Sequence, residues 1–79
     1  MSHTPHELLE EFPEAVDKLH ALKVSDAHFA RVADDYHAIN RDIHRAETGV
    51  EPMDQFAEVE LRKKRAALKD EIARMLSAS

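Results

Sequence analysis

The stretch FARVADDYHAINRDIHRA, residues 29–46, carries the clearest periodic pattern in the chain. Its apolar residues recur at alternating spacings of three and four, and they are Phe29, Val32, Tyr36, Ile39, Ile43 and Ala46. This is the a/d repeat of a helix that packs one face against another helix. Thr48 and Gly49 follow, and Gly49 suits the left-handed position that commonly ends a helix. We therefore predict a long helix over about residues 26–47.

A second long helix is predicted over about residues 54–76, with Leu61, Leu68 and Ile72 in its apolar stripe. A short connector near Val50 makes neighbouring helices antiparallel, and equal rise then opposes residues whose numbers sum to about 100. Tyr36 falls opposite Lys64 and Arg65 in this register, which suggests a cation–π contact. The predicted fold is all-α: an antiparallel two-helix, coiled-coil-like hairpin preceded by a short N-terminal helical segment. Its predicted core is Phe29, Val32, Tyr36, Ile39, Ile43, Leu61, Leu68 and Ile72.

Residues 24–28, VSDAH, mark the start of the first long helix. Ser25 is a preferred N-cap residue, and Asp26 in the first turn complements the helix dipole. With Ser25 as the cap, Val24 and Phe29 occupy the two positions of a hydrophobic staple. His28 then lies at the third helical position. We expect His28 to join the capping interaction with Ser25 or Asp26 rather than to bind a ligand.

The N-terminal part of the chain is acidic, because residues 1–17 contain five acidic residues and no Lys or Arg. Thr4 and Pro5 predict a helix start, and Pro13 disfavours helical geometry at Phe12. We divide the chain into an acidic, partly helical arm at residues 1–12 and a helical-hairpin domain at 13–79, with a short helix at about 13–22. One kinked helix over residues 5–23 remains an alternative. We expect this segment to pack near Phe29, Ile72 and Leu76.

The composition limits the classes of function. A chain of 79 residues makes one domain, and with no cysteine it has neither disulfides nor thiolate metal ligands. His37 and His44 are seven residues apart, roughly 10 Å along a helix, which is too far to share one ion. There is no Gly-rich phosphate loop or serine elbow. We therefore predict no enzymatic activity, no metal and no cofactor. No signal peptide or membrane-length apolar run is visible, so we expect a cytoplasmic protein.

Several motifs resemble the YdcH family of small bacterial proteins. They are LKVSDAHFAR at residues 22–31, Tyr36-His37, Ile43, and KKRAALKDEI at residues 63–72. The Asp-x-His-Phe element (Asp26 to Phe29) and the Lys-Lys-x-x-x-Leu-Lys-Asp-Glu-Ile element (Lys63 to Ile72) are fairly specific together. The resemblance covers about residues 12–76. It implies a helical hairpin in the bacterial cytoplasm and no established catalytic activity, so it carries over no catalytic residues.

A two-helix hairpin has a thin core, and this suggests what the protein does. We expect a non-enzymatic protein that self-associates as a homo-oligomer or binds an unidentified protein partner, without membrane attachment. The alternative is a nucleic-acid-binding accessory protein that uses the basic segment Arg62, Lys63, Lys64 and Arg65. Four successive bases spread around a helix, and the flanking residues are acidic. We therefore favour protein–protein interaction over nucleic acid.

Overall fold

The computed structural model describes residues 6–49 and 53–78, and these ranges contain helices and no β-strand. The helices are α1 (Leu8–Glu11), α2 (Val16–Ser25), α3 (Ala27–Glu47) and α4 (Gln55–Ala78), with a 3₁₀ turn at Pro13–Ala15 before α2. The prediction of an all-α protein is confirmed. The predicted helix start at Thr4 and Pro5 and the centre of the connector at Val50 lie outside the described residues.

Phe12 separates two helical elements in the N-terminal segment, so the alternative of one kinked helix is wrong. Its backbone angles, φ −129° and ψ 63°, lie outside the helical region. The physical cause is Pro13, since the proline ring disfavours helical geometry at the residue before it. The chain then resumes as the 3₁₀ turn and as α2, which continues to Ser25 rather than ending near residue 22.

The boundary between α2 and α3 lies one residue later than predicted. Asp26 is the N-cap of α3, and its carboxylate accepts a hydrogen bond of 3.1 Å from the backbone N–H of Phe29. Ser25 instead ends α2, where its hydroxyl donates to the carbonyl oxygen of Ala21 at 2.8 Å. Serine can bond back to its own helix in this way, which removes it as a cap for the next one. The predicted staple is also wrong, because Val24 is 91% exposed.

This assignment of the cap predicts different effects for the two neighbouring polar residues. We expect Asp26→Ala to lower the free energy of unfolding by about 1 kcal/mol, the usual loss for an N-cap. Ser25→Ala should change it by less than about 0.5 kcal/mol, because that residue is exposed and ends a helix. Urea denaturation of the two variants beside the parent protein measures both. Equal losses, or a larger loss for Ser25→Ala, would restore Ser25 as the cap.

One buried cluster joins all four helices. Its members are Leu8 of α1, Leu19 of α2, Phe29, Val32, Ala33 and Tyr36 of α3, and Ile72 and Leu76 of α4. The N-terminal segment therefore packs near Phe29, Ile72 and Leu76, as expected. Leu8, which precedes the predicted domain boundary after residue 12, is only 4% exposed and belongs to the same cluster.

The residues predicted as the hairpin core differ in burial. Five are fully buried: Phe29, Val32, Tyr36, Ile43 and Ile72. The other three, Ile39, Leu61 and Leu68, are partly buried. The fully buried residues of α3 mostly lie in the cluster shared with α1 and α2. Hence the N-terminal helices complete the core on one side of α3 and α4.

Tyr36 holds the first described residues against α3. Its side chain is completely buried, and its hydroxyl donates to the carbonyl oxygen of His6 at 2.5 Å. His6 has a φ of 64°, an uncommon left-handed conformation for a residue other than glycine. Burial, assisted by the negative charge of Glu11, raises the pKa of Tyr36 to about 12. The phenol therefore stays protonated and remains a hydrogen-bond donor at neutral pH.

Helices α3 and α4 make the most extensive contact between any two elements. Side-chain contacts that join them include His28–Glu71 at 3.2 Å, Asn40–Arg65 at 2.9 Å and Glu47–Arg62 at 2.9 Å. Among the described residues, no helix has the length and apolar character needed to cross a membrane.

Candidate functional site

A shallow surface groove runs between α3 and α4, and we call it the outer groove. Three residues of each helix line it: Asp35, Ala38 and Ile39 from α3, and Lys64, Ala67 and Leu68 from α4. Ile39 and Leu68 are partly buried, whereas the two alanines are exposed. The described residues of α1 and α2 contribute nothing to this lining. The outer groove is thus apolar surface of the helix pair that the N-terminal segment leaves uncovered.

The same local pattern builds both walls of the outer groove. On each helix a charged residue is followed three positions later by alanine and four positions later by an aliphatic residue. The two triplets are Asp35-Ala38-Ile39 and Lys64-Ala67-Leu68. Residues at these spacings share one helix face. Sequence reasoning missed this site, although the repeated pattern was a signal that could have found it.

The two charges that flank the outer groove are opposite in sign, and neither is paired with another described residue. Neither Asp35 nor Lys64 makes an ion pair or side-chain hydrogen bond with any residue in the ranges 6–49 and 53–78. Both side chains are exposed. A carboxylate and an ammonium beside an apolar strip are suited to pair with opposite charges on a second surface.

In the predicted basic patch, Arg62, Lys63, Lys64 and Arg65, two cations lie against carboxylates and a third donates to a neutral amide. The contacts are Arg62–Glu47 at 2.9 Å, Arg62–Glu58 at 3.6 Å, Lys63–Glu60 at 3.7 Å and Arg65–Asn40 at 2.9 Å. Lys64 differs from the other three, because it makes no ion pair or side-chain hydrogen bond with the part of the chain that the structure describes. The segment therefore does not present four free cations on one surface.

Arg65 makes a hydrogen bond where we expected a cation–π contact. Its Nη1 donates to Oδ1 of Asn40, a buried amide only 1% exposed. Asn40 lies one turn after Tyr36 on α3, and a charged donor to a buried amide is a stronger contact than an exposed cation above a ring. The aromatic contact that the structure gives Tyr36 is edge-to-face with the His37 ring, with centroids 6.1 Å apart.

Three histidines lie against carboxylates, which corrects the role predicted for His28. The pairs are His6–Glu11 at 3.0 Å, His28–Glu71 at 3.2 Å and His37–Glu7 at 2.8 Å. His28 therefore contacts α4 across the helix pair and does not cap α3 with Ser25 or Asp26. Within the described residues, no group of three or more His, Asp or Glu side chains is arranged to hold a metal ion.

Two of the acidic N-terminal residues, Glu7 and Glu11, contact the long helices. Glu11 lies 3.4 Å from Lys69 of α4 and also contacts His6. The hydrogen bond from His6, together with Lys69, holds the pKa of the Glu11 carboxyl below its usual value of 4.5. Glu7 reaches His37 on α3 in the same way. These two acids therefore contact other parts of the chain.

A second pocket, of about 230 Å³, lies between α1, α2 and α3. Core residues Leu8, Leu19, Phe29 and Ala33 supply most of its apolar lining. Small-molecule sites usually exceed about 300 Å³. This pocket is smaller than that, so we assign it a packing role and no ligand.

The comparison with known proteins concerns the region that contains the outer groove. A family model described as a protein of unknown function, DUF465, matches residues 29–76. No curated protein and no solved structure shows detectable similarity to the chain. The matched region runs from the first turn of α3 to near the end of α4 and includes all six residues of the outer groove. Because the match covers more than half of the sequence, this chain belongs to the DUF465 family of proteins of unknown function.

Proposed function

We propose that this protein is a non-enzymatic interaction module whose outer groove binds a polypeptide, either another protein or a second copy of the chain. The observation behind the proposal is the composition of the groove itself. Ile39 and Leu68 offer apolar surface, and Asp35 and Lys64 offer opposite charges that nothing in the described chain uses. Protein interfaces combine apolar contact at the centre with polar groups at the rim in this way.

The structural unit that presents the groove is, in this proposal, an antiparallel helical hairpin. Three contacts between α3 and α4 support it, because their residue numbers rise along α3 while they fall along α4. His28 near the start of α3 contacts Glu71 near the end of α4, and Glu47 at the end of α3 contacts Arg62. Two long helices held in this way form a stiff platform, so that the groove exists before a partner binds.

The resemblance to the YdcH family supports the same view. The resemblance implies a helical hairpin in the bacterial cytoplasm and no established catalytic activity. We propose the same structure and location for this chain. The residues that carry the resemblance include His28 and Glu71, which contact each other across α3 and α4. If function in the family depends on the geometry of the hairpin, the presence of both residues in the shared motifs is explained by the contact between them.

Nucleic acid is the alternative partner, and the charges of the basic segment weigh against it. Arg62 and Lys63 contact carboxylates, and Arg65 donates to Asn40. Phosphate binding depends on cations that are free to replace counterions. The net charge of −5 over the whole chain opposes the approach of a polyanion as well.

Site-specific photocrosslinking in cells tests whether the outer groove binds a polypeptide. A photoreactive amino acid replaces Ala38 in the groove, and a matched control replaces Ala21, an exposed alanine on α2 outside it. We expect a polypeptide adduct from position 38 that is several times more abundant than any adduct from position 21. Equal labelling at both positions, or adducts with nucleic acid in place of protein, would overturn the proposal.

A further inference from the structure

We propose that the occupant of the outer groove is the outer groove of a second copy, in a two-fold symmetric dimer of four long helices. In this dimer Asp35 of each copy pairs with the partner's Lys64. The inference rests on the proposed function, since it uses the same surface, and it deepens that function by naming the partner. It is carried by the charges that flank the groove and by the register of the two helices.

The register places the two charges at one level. His28 of α3 contacts Glu71 of α4 at 3.2 Å, which ties these two positions together. Asp35 lies seven residues after His28, and Lys64 lies seven residues before Glu71. Because both helices rise about 1.5 Å per residue, each of these steps is roughly 10 Å along its helix. Counted from this contact, Asp35 and Lys64 lie at about the same level along the outer groove, which both residues line.

A two-fold axis parallel to the groove brings the opposite charges of two copies together. Rotation about such an axis places α3 of one copy over α4 of the other and leaves the level along the helices unchanged. Asp35 then meets the partner's Lys64, and the symmetric contact forms at the same level. Ile39 and Leu68 lie about one turn away on opposite sides of this level, where their apolar surface closes against the other copy.

The charges also select this axis over the other two-fold arrangement. An axis across the groove would place α3 over α3 of the second copy and α4 over α4. Asp35 would then lie near the same carboxylate of the partner, and Lys64 near the same ammonium. Like charges at an interface oppose association, whereas opposite charges steer it. The axis along the groove is the arrangement that pairs both of these charges, which have no ion-pair partner among residues 6–49 and 53–78.

The available area indicates the strength of the dimer. A face about 30 Å long and two helices, or roughly 20 Å, wide offers about 600 Å² from each copy. Stable complexes bury about 800 Å² from each partner. The dimer should therefore be reversible, with monomer and dimer exchanging over an accessible range of concentration. The exposed Ala38 and Ala67 assist, because their short side chains allow the helices to approach closely.

Charge reversal in the purified full-length protein tests the pairing. We expect Asp35→Lys and Lys64→Asp each to raise the dimer dissociation constant about tenfold at low salt, because each change turns two attractive contacts into repulsive ones. Asp34→Lys is the matched control: it makes the same change of charge next to Asp35, at an exposed residue outside the groove lining. It should alter the constant less than about twofold. Sedimentation velocity over a wide concentration range measures all of them.

Mixing the two reversed variants gives the decisive result. In a heterodimer of Asp35→Lys with Lys64→Asp both contacts are again between opposite charges, so we expect heterodimer to dominate the mixture. Native mass spectrometry resolves it from either homodimer. If Asp35 and Lys64 acted only within one chain, the doubly reversed chain would regain wild-type behaviour but the mixture would not, and that outcome overturns the proposal.

The experiments distinguish an incorrect dimer from an incorrect assignment of the outer groove as a polypeptide-binding surface. A parent protein that stays monomeric at all concentrations, while position 38 still crosslinks to a different polypeptide in cells, overturns self-pairing and leaves the outer groove as an interaction surface. A dimer whose constant responds equally to Asp34→Lys and Asp35→Lys overturns self-pairing through this groove. The absence of any polypeptide adduct at position 38, by contrast, overturns the proposed function and the self-pairing together.

Discussion

Phe29→Ala is expected to lower the free energy of unfolding by about 3–5 kcal/mol, the typical loss for a buried phenylalanine. Phe29 is 1% exposed and belongs to the cluster that joins α1, α2, α3 and α4. A domain of 79 residues has a total stability of roughly 4–12 kcal/mol, so this single change removes a large part of it. Urea denaturation followed by circular dichroism measures the loss.

Phe56→Ala is the matched control for this prediction. It deletes the same side chain from α4 at a position that is 71% exposed. We expect it to change the free energy of unfolding by less than about 0.5 kcal/mol, because the exposed Phe56 ring buries little apolar surface in the folded protein. A similar effect of the two substitutions would contradict the burial that the structure assigns to Phe29. It would also contradict the cluster that joins the four helices.

Leu8→Ala is expected to lower the free energy of unfolding by about 2–5 kcal/mol, although it lies in a segment that the sequence suggested was separate. Leu8 is 4% exposed and packs in the same cluster as Phe29. The cost has two parts, the lost transfer free energy and the cavity left among the remaining core side chains. Thermal and urea unfolding measure the change.

Leu9→Ala provides the neighbouring control. Leu9 is 47% exposed, and we expect its truncation to cost less than about 1 kcal/mol. Tyr36 supplies an independent readout, since it is the only tyrosine in a chain without tryptophan and its hydroxyl donates to the His6 carbonyl. If tyrosine fluorescence in Leu8→Ala changed at a lower urea concentration than helical circular dichroism, the N-terminal segment would unfold on its own. Residues 6–12 would then not belong to the cooperative domain.

The two long helices were predictable because their signal is local. Apolar residues at spacings of three and four define a helix face without reference to any other part of the chain. Pro13 likewise predicted non-helical geometry at Phe12. The sequence alone did not decide between two helices and one kinked helix there. The cap of α3 was not predictable in this way, because Ser25 and Asp26 are adjacent and both cap helices well. The choice between them depends on where α2 ends, which is a matter of its packing.

The candidate site was also predictable only in part from the sequence. The patterns Asp35-Ala38-Ile39 and Lys64-Ala67-Leu68 are visible in the sequence. The sequence does not show, however, which face of each helix stays uncovered. The placement of α1 and α2 determines which face is covered. The basic segment was misread for a related reason: Glu47 and Asn40, which bind Arg62 and Arg65, lie on a different helix.

The sequence by itself determined the helical class and the extents of the two long helices, because periodicity and breaker residues act over a few neighbouring positions. Only the tertiary structure decided that Leu8 belongs to the core and that the N-terminal acids bind His37 and Lys69. It also decided that Asp35 and Lys64 flank an uncovered groove. These facts depend on contacts between residues far apart in the chain, and local spacing carries no information about which distant side chains meet.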